Sequence, residues 1–314
     1  MSAEAHLEFA CFGGTVALHV RGKDEGEGRA LIEQGRDLLL DAHRRLSRFD
    51  PESELCHLNR DPRAEVPASP LMRRLVAVVP TAGSRSGGLV DATLLDAIER
   101  AGYADSLEAG ATPLSPARFA VNDPTPAHPN PAGDWCAVSV DEEAGTVIRP
   151  PGVKIDSGGI AKGLLADMVG ESLRDSRSFA VDCCGDIRLG GTGGRPRKVR
   201  IDEPFGEGTL HELSLREGAV ATSGITRRSW LGPGAAPAHQ ILDPRSGRPA
   251  FTGILQATAI APTALLAEVF AKSALLSGPE QAAEWLPFGG VFVHDDGEVM
   301  VISARRRLTE AVPA

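Results

Sequence analysis

One stretch, residues 155–191, limits the possible folds more than any other: IDSGGIAKGLLADMVGESLRDSRSFAVDCCGDIRLGG. Ile160, Leu164, Met168, Val169 and Leu173 recur within it at helical spacing. The expected order is strand end, glycine turn, helix, strand, glycine turn, strand. Gly158 and Gly159 stand just before the helix. Without a Cβ they let backbone approach a ligand, and the free N–H groups of a helix start attract an anion. Asp156, Lys162 and Asp167 bring charge to the same place, and Asp182 and Asp186 sit at the second turn. A positive helix end, one lysine and several carboxylates suit a phosphate, with or without a metal ion. The competing reading is a plain tight turn with Lys162 in solvent. The segment is neither a Walker A loop nor a G-x-G-x-x-G fingerprint, because both spacings are missing.

The rest of the chain narrows the class. Its 314 residues, 42% of them hydrophobic, suffice for one large domain or two small ones. A net charge of −9 argues against a general nucleic-acid binder, which needs a basic face. It leaves open a nucleotide, which needs only a local positive field. Cys11, Cys56, Cys136, Cys183 and Cys184 are scattered and odd in number, which fits a reducing compartment better than a disulfide framework. The N-terminus lacks a basic, then apolar, secretory pattern or a lipoprotein signal, so a cytoplasmic location is expected. No apolar run is long enough to span a bilayer.

Taken in order, residues 8–20 read as a strand or bent hairpin around Gly13 and Gly14, and residues 27–46 as an amphipathic helix. Residues 47–62 read as irregular, and residues 69–81 as a helix that ends around Pro80. Asp91 or Thr93 is expected to cap a third helix. Residues 104–134 form a Pro-rich surface excursion, and residues 135–148 a hairpin turning at 142–145. Strands are expected at 178–181, 187–189, 197–201, 212–215, 219–221, 239–242 and 254–261. Thr222-Ser223-Gly224 reads as a turn, either one that offers hydroxyl and N–H groups to a phosphate or an ordinary Ser-Gly turn. A helix capped by Thr263, a short helical piece at 280–285 and a closing hairpin at 290–302 follow. Phe12, Phe49 and Tyr103 are the aromatics available to stack on a ring, with core packing as the plainer role.

These motifs, in this order, resemble the ApbE-type FAD:protein FMN transferases. FGGTVALHV, with Gly14 and Thr15, resembles the family's N-terminal M-G-T strand. FDPESELCHLN and GGLVDATLLDAIERAGY resemble its next two segments, and IDSGGIAKGLLAD resembles D-x-G-G-I-A-K-G-x-x-x-D at nearly every fixed position. DCCGDIRLGG, ATSGITRR and ILDPRSGRPA resemble the last three motifs. The resemblance implies an α+β fold, a single ApbE-like (T-fold-related) domain with mixed β-sheets flanked by helices over residues 1–304. A polar tail follows at 305–314.

It implies a reaction too: with Mg2+, FAD is cut at its pyrophosphate, FMN passes to a Thr or Ser hydroxyl of an acceptor protein, and AMP leaves. Such phosphoryl transfer depends on positioning and charge neutralisation. The implied catalytic residues are His239, Lys162 and Asp243. The implied FAD-binding set adds Gly14, Thr15, Asp156, Gly158, Gly159, Asp167, Thr222, Ser223, Gly224 and Gln240. Alternative readings are a flavin-binding relative with lost or weak transfer, and an FAD pyrophosphatase.

The pattern is broken in two places. The family's histidine directly precedes I-x-D-P, where this chain has Gln240, with His239 one place earlier. Glutamine can hydrogen-bond a phosphate but is no general base. The implied metal positions are the carbonyl of Ala161 and the side chains at 268 and 272, where Glu268 and Lys272 replace Asp and Thr. Spaced i,i+4, these two suit a helical ion pair. The Lys272 ammonium is expected to stand where the metal would sit, leaving Mg2+ affinity weak or absent, unless the pair is an ordinary surface contact.

Overall fold

The computed structural model describes residues 4–105, 114–115, 119, 124–206 and 208–310. About half of the expected excursion at 104–134 lies outside them. The chain opens with a hairpin, β1 (Ala5–Cys11) and β2 (Gly14–Arg21), whose register pairs Cys11 with Gly14. Its two-residue loop, Phe12-Gly13, has φ of 55° and 71°. Two successive left-handed residues give the turn that matches strand twist. Helix α1 (Glu25–Arg45) follows, capped by Asp24, with Ile32, Leu39 and Ala42 on its buried face.

Helix α2 (Glu54–Arg60) occupies part of the stretch expected to be irregular. The Ser53 hydroxyl caps it by accepting from the Cys56 N–H, and Leu55 and Leu58 bury its face. Strand β3 (Glu65–Pro67) leads into α3 (Pro70–Arg85), which runs through Pro80 instead of ending there. Buried Val79 and Ala82 continue its apolar face, and Gly83 makes room for the Trp135 indole. Packing of that face outweighs the one backbone donor that proline removes. The next helix, α4 (Leu95–Arg100), has no side-chain cap; Asp91 instead accepts from Thr93 in a local turn. Strands β4 (Ser139–Asp141) and β5 (Thr146–Ile148) join β3 in a small sheet.

The central segment forms as expected. A helical turn at Ser157–Gly159 precedes α5 (Ala161–Ser172), then β6 (Ser178–Cys183) and β7 (Asp186–Gly190). Strands β8 (Arg197–Asp202) and β9 (Thr209–Leu215) make a separate hairpin. Strand β10 (Gly218–Gly224) is longer than expected and contains Thr222, Ser223 and Gly224, which pair with β13. These residues form a strand end, not a turn, because Thr222 faces a strand partner: its hydroxyl meets that of Thr258 at 2.9 Å. Strands β11 (Ser229–Leu231) and β12 (Pro237–His239) pair, so the strand expected at 239–242 ends at its first residue. Then come β13 (Ile254–Ala261), α6 (Ala264–Ser277) capped by Thr263, α7 (Pro279–Ala282), and the hairpin β14 (Gly290–His294) and β15 (Val299–Ile302).

The main sheet runs β1-β2-β6-β7-β10-β13-β14-β15. The α+β class holds, and every pairing among the described strands is antiparallel where mixed sheets were expected. Hairpins link β1 to β2, β6 to β7 and β14 to β15, and a hairpin reverses the chain. Helices α1, α5 and α6 pack on this sheet and on one another in a row. All eight residues of β13 are buried. Its polar members are satisfied: Gln256 donates to the Asp202 carbonyl at 2.9 Å, and Thr258 meets Thr222. Leu308 packs against the core, and Arg305 donates to the Ala283 carbonyl at 2.5 Å. Among the described residues no helix is long and apolar enough to cross a membrane.

Candidate active site

Strand pairing brings the two tight hairpin loops together. Because Val16 pairs with Cys183, the Phe12-Gly13 loop lies beside the Cys184-Gly185 loop, where φ is again left-handed at 58° and 93°. A Cβ on Gly14 would lie 3.0 Å from the Cys184 sulfur. The C-terminal end of β10 reaches the same edge of the sheet. Above it, α5 points its N-terminus at a cavity of about 800 Å³. That lies within the ~300–1,000 Å³ usual for small-molecule sites.

The turn before α5 is held from three sides. The Asn59 side chain makes two hydrogen bonds of 2.8 Å to the backbone of Ile155. The Asp156 N–H donates to the Ala92 carbonyl at 2.7 Å, and the Ser157 hydroxyl to the Leu46 carbonyl at 2.8 Å. Asp156 then accepts from the Gly158 N–H at 3.1 Å. Gly163 permits the next close approach: a Cβ there would stand 2.7 Å from the Ala264 carbonyl oxygen, so α5 meets the start of α6 backbone to backbone.

Two ammonium groups face the cavity floor. Lys162 donates to Asp186 at 2.5 Å; their side chains are 18% and 1% exposed. Burial works against the lysine's charge, but Asp186 and Glu268 outweigh it and hold Lys162 above the ordinary lysine range. Burial pushes Asp186 up to about 6, with Lys162 opposing and Glu268 adding to the rise. Lys272 donates to the Gly159 carbonyl and lies 3.4 Å from Glu268. The other Glu268 oxygen accepts from the Gly163 N–H at 3.0 Å.

Most of the expected residues gather here. Gly14, Thr15, Asp156, Gly158, Gly159, Ala161, Lys162, Thr222, Ser223, Gly224, Gln240, Glu268 and Lys272 all line the cavity. Gln240 donates to the Gly224 carbonyl at 3.1 Å. Three residues do not line it. His239 is fully buried; its Nδ1 accepts from the Ile241 N–H and its ring packs edge-on against Phe251. Burial lowers its pKa to about 3, so it is a neutral core residue. Asp243 accepts from the N–H groups of Arg245, Ser246 and His128 and so ties down a turn. Asp167 accepts from the N–H groups of Ala264 and Leu265 and thereby caps α6, with Arg188 3.3 Å away. A carboxylate placed there suits the positive end of the helix.

Other residues belong to the site although motif matching did not select them. Asp182 and Asp186 line the cavity, and their place at the second glycine turn was the available signal. Arg48 is 5% exposed, lies 3.7 Å from Asp156, and covers the rings of Phe49 and Tyr103 at 4.1 and 4.2 Å. Phe12, Phe49 and Tyr103 all face the cavity, and Phe49 is 38% exposed, so a flat surface is available to a ring.

The donor set does not fit a divalent cation. Among the described residues no group of three or more His, Cys, Asp or Glu is arranged to hold a metal ion. The carbonyl that meets the Lys272 ammonium is that of Gly159, not of Ala161, and Glu268 converges on the same point. Lysine and glutamate are too buried, at 12% and 4%, for an ordinary surface pair.

Together these groups favour the anionic part of a sizeable, ring-bearing molecule, which is the work of a nucleotide- or flavin-binding protein. The model of the ApbE family matches residues 12–291, and the chain belongs to that family. An FAD:protein FMN transferase of Haemophilus influenzae is 25% identical to it, over 93% of this chain and 88% of its own. The crystal structure of the ApbE protein of Thermotoga maritima superposes with a TM-score of 0.78 at 23% identity, covering 96% of this chain and 97% of that one. The apo flavinyl transferase ApbE of Pseudomonas stutzeri does so with a TM-score of 0.74 at 20% identity, covering 96% and 95%. These two likenesses establish the fold.

Proposed function

We propose that this protein transfers FMN from FAD to a Thr or Ser hydroxyl of an acceptor protein and releases AMP. Lys162 at the N-terminus of α5 carries this reading, because Asp186 holds its ammonium in the charged form beside the first N–H groups of the helix. The shared name of the curated relatives supports the choice of substrate and reaction.

In this reading the FAD diphosphate lies over the turn at 158–160, against Lys162 and the first N–H groups of α5. A flat ring rests near Phe49 and Tyr103, and Thr222 and Ser223 line the same cavity. The acceptor oxygen attacks the phosphorus of the FMN half. The P–O bond to the AMP half breaks, and AMP leaves with the bonding pair. The fixed ammoniums neutralise charge that builds on the phosphate oxygens. The hydroxyl proton needs a base, and His239 cannot reach it. We assign that role to Asp182, which lines the cavity and whose pKa is raised by burial.

The test is to incubate the protein with FAD and a Thr-containing acceptor. The expected result is acceptor heavier by one FMN, with one AMP released per transfer. Free FMN and AMP without a modified acceptor would make the protein a pyrophosphatase. Unchanged FAD would refute turnover of either kind.

A further inference from the structure

We propose that the Lys272 ammonium takes the place of a divalent cation, so that this site binds the FAD diphosphate without a metal ion. The inference rests on the FAD reading above. The Gly159 carbonyl and one Glu268 oxygen converge on a single point beside the turn that precedes α5. Two oxygens from different elements, one of them a carboxylate, are what a hard cation seeks. Here that point holds the Nζ of Lys272. The other Glu268 oxygen is committed to the Gly163 N–H at 3.0 Å, so the carboxylate cannot turn away to serve a second cation.

Spacing on α6 fixes the arrangement. Glu268 and Lys272 stand one turn apart, and both are largely buried. Charge count agrees. The buried ammoniums of Lys162 and Lys272 balance the carboxylates of Asp186 and Glu268, so these two pairs are neutral before a ligand arrives. A dication added here would meet two fixed positive charges and no free carboxylate from either pair. Mg2+ also demands near-octahedral oxygens at ~2.0–2.1 Å, and the ammonium already holds the two on offer. Lysine thus supplies as a permanent part of the chain one of the positive charges that the diphosphate needs.

The experiment measures the Kd for FAD by flavin fluorescence, once with EDTA and once with excess Mg2+. Wild-type protein is expected to give the same Kd in both, within about twofold. Lys272→Met should bind FAD at least about tenfold more weakly in EDTA, and Lys272→Arg should recover most of that loss. In the Glu268→Asp/Lys272→Thr variant, FAD binding should tighten at least about tenfold on adding Mg2+; these thresholds correspond to ~1.4 kcal/mol. Wild-type binding that tightens tenfold with Mg2+, or Lys272→Met that binds like wild type in EDTA, overturns the inference while leaving the FAD reading intact. Absence of FAD binding in both buffers overturns the FAD reading and the inference with it. Calorimetric titration of Mg2+ into the wild-type FAD complex should show no binding heat; saturable binding would contradict the proposal.

Discussion

At the residue scale, Lys162 and His239 show how burial decides a role. Removing Lys162 strands Asp186, which is 1% exposed, beside Glu268. Lys162→Met should therefore cost about 3 kcal/mol of stability and abolish FAD binding. Lys162→Met/Asp186→Asn should regain much of the stability but not the binding. Chemical denaturation and FAD titration would check both, and a double variant that binds FAD would remove Lys162 from the site. His239 has a pKa of about 3 in the fold against 6.5 ordinarily. Between those values the unfolded chain binds the extra proton, so stability is full above 6.5 and falls as pH drops toward 3. The slope is up to ~1.4 kcal/mol per pH unit. His239→Asn should flatten that slope and keep FMN transfer at neutral pH; parallel slopes would show that His239 is not the titrating group. The residue types at the site were legible because Gly, Lys and Asp were concentrated in one short segment. The burial of His239 was not, because it depends on Phe251 and the turn at 241, which only the fold brings close.

At the element scale, the turn before α5 depends on distant supports. Asn59→Ala would leave the backbone of Ile155 without two buried partners, at a cost of about 1–3 kcal/mol. It should also weaken FAD binding through the loosened turn. Thermal unfolding and FAD titration on the same variant would test this, and a normal Kd would mean the turn needs no such support. Gly163→Ala would push a methyl against the Ala264 carbonyl and separate α5 from α6, for ~1–3 kcal/mol. A variant with unchanged melting temperature would contradict the close contact. Strand β13 and helix α6 could be read from sequence, since one is a buried apolar run and the other has Thr263 as a cap. Helix α2 was harder: seven residues carry too little periodicity, and its signal reduces to Ser53 and two leucines. Thr222-Ser223-Gly224 looked like a turn because small polar residues favour turns, whereas the partner strand β13 makes it a strand end.

At the scale of the whole molecule, antiparallel order collects two hairpin loops, the end of β10 and the start of α5 at one edge of one sheet. The motifs the resemblance picked out meet at one cavity, whereas Asp167 and Asp243 hold backbone together and do not line it. Their carboxylates stand next to the site in sequence and turn away from it in space. Bound FAD should stabilise the fold by about 2.7 kcal/mol at a hundredfold excess over its Kd, seen as a rise in melting temperature. The central claim is that the turn at 158–160 and Lys162 grip the diphosphate. A crystal structure of the FAD complex measures this most directly. It should place phosphate oxygens within hydrogen-bonding distance of the Lys162 ammonium and the first N–H groups of α5. A diphosphate bound elsewhere, with Lys162 still paired to Asp186 alone, would contradict the account.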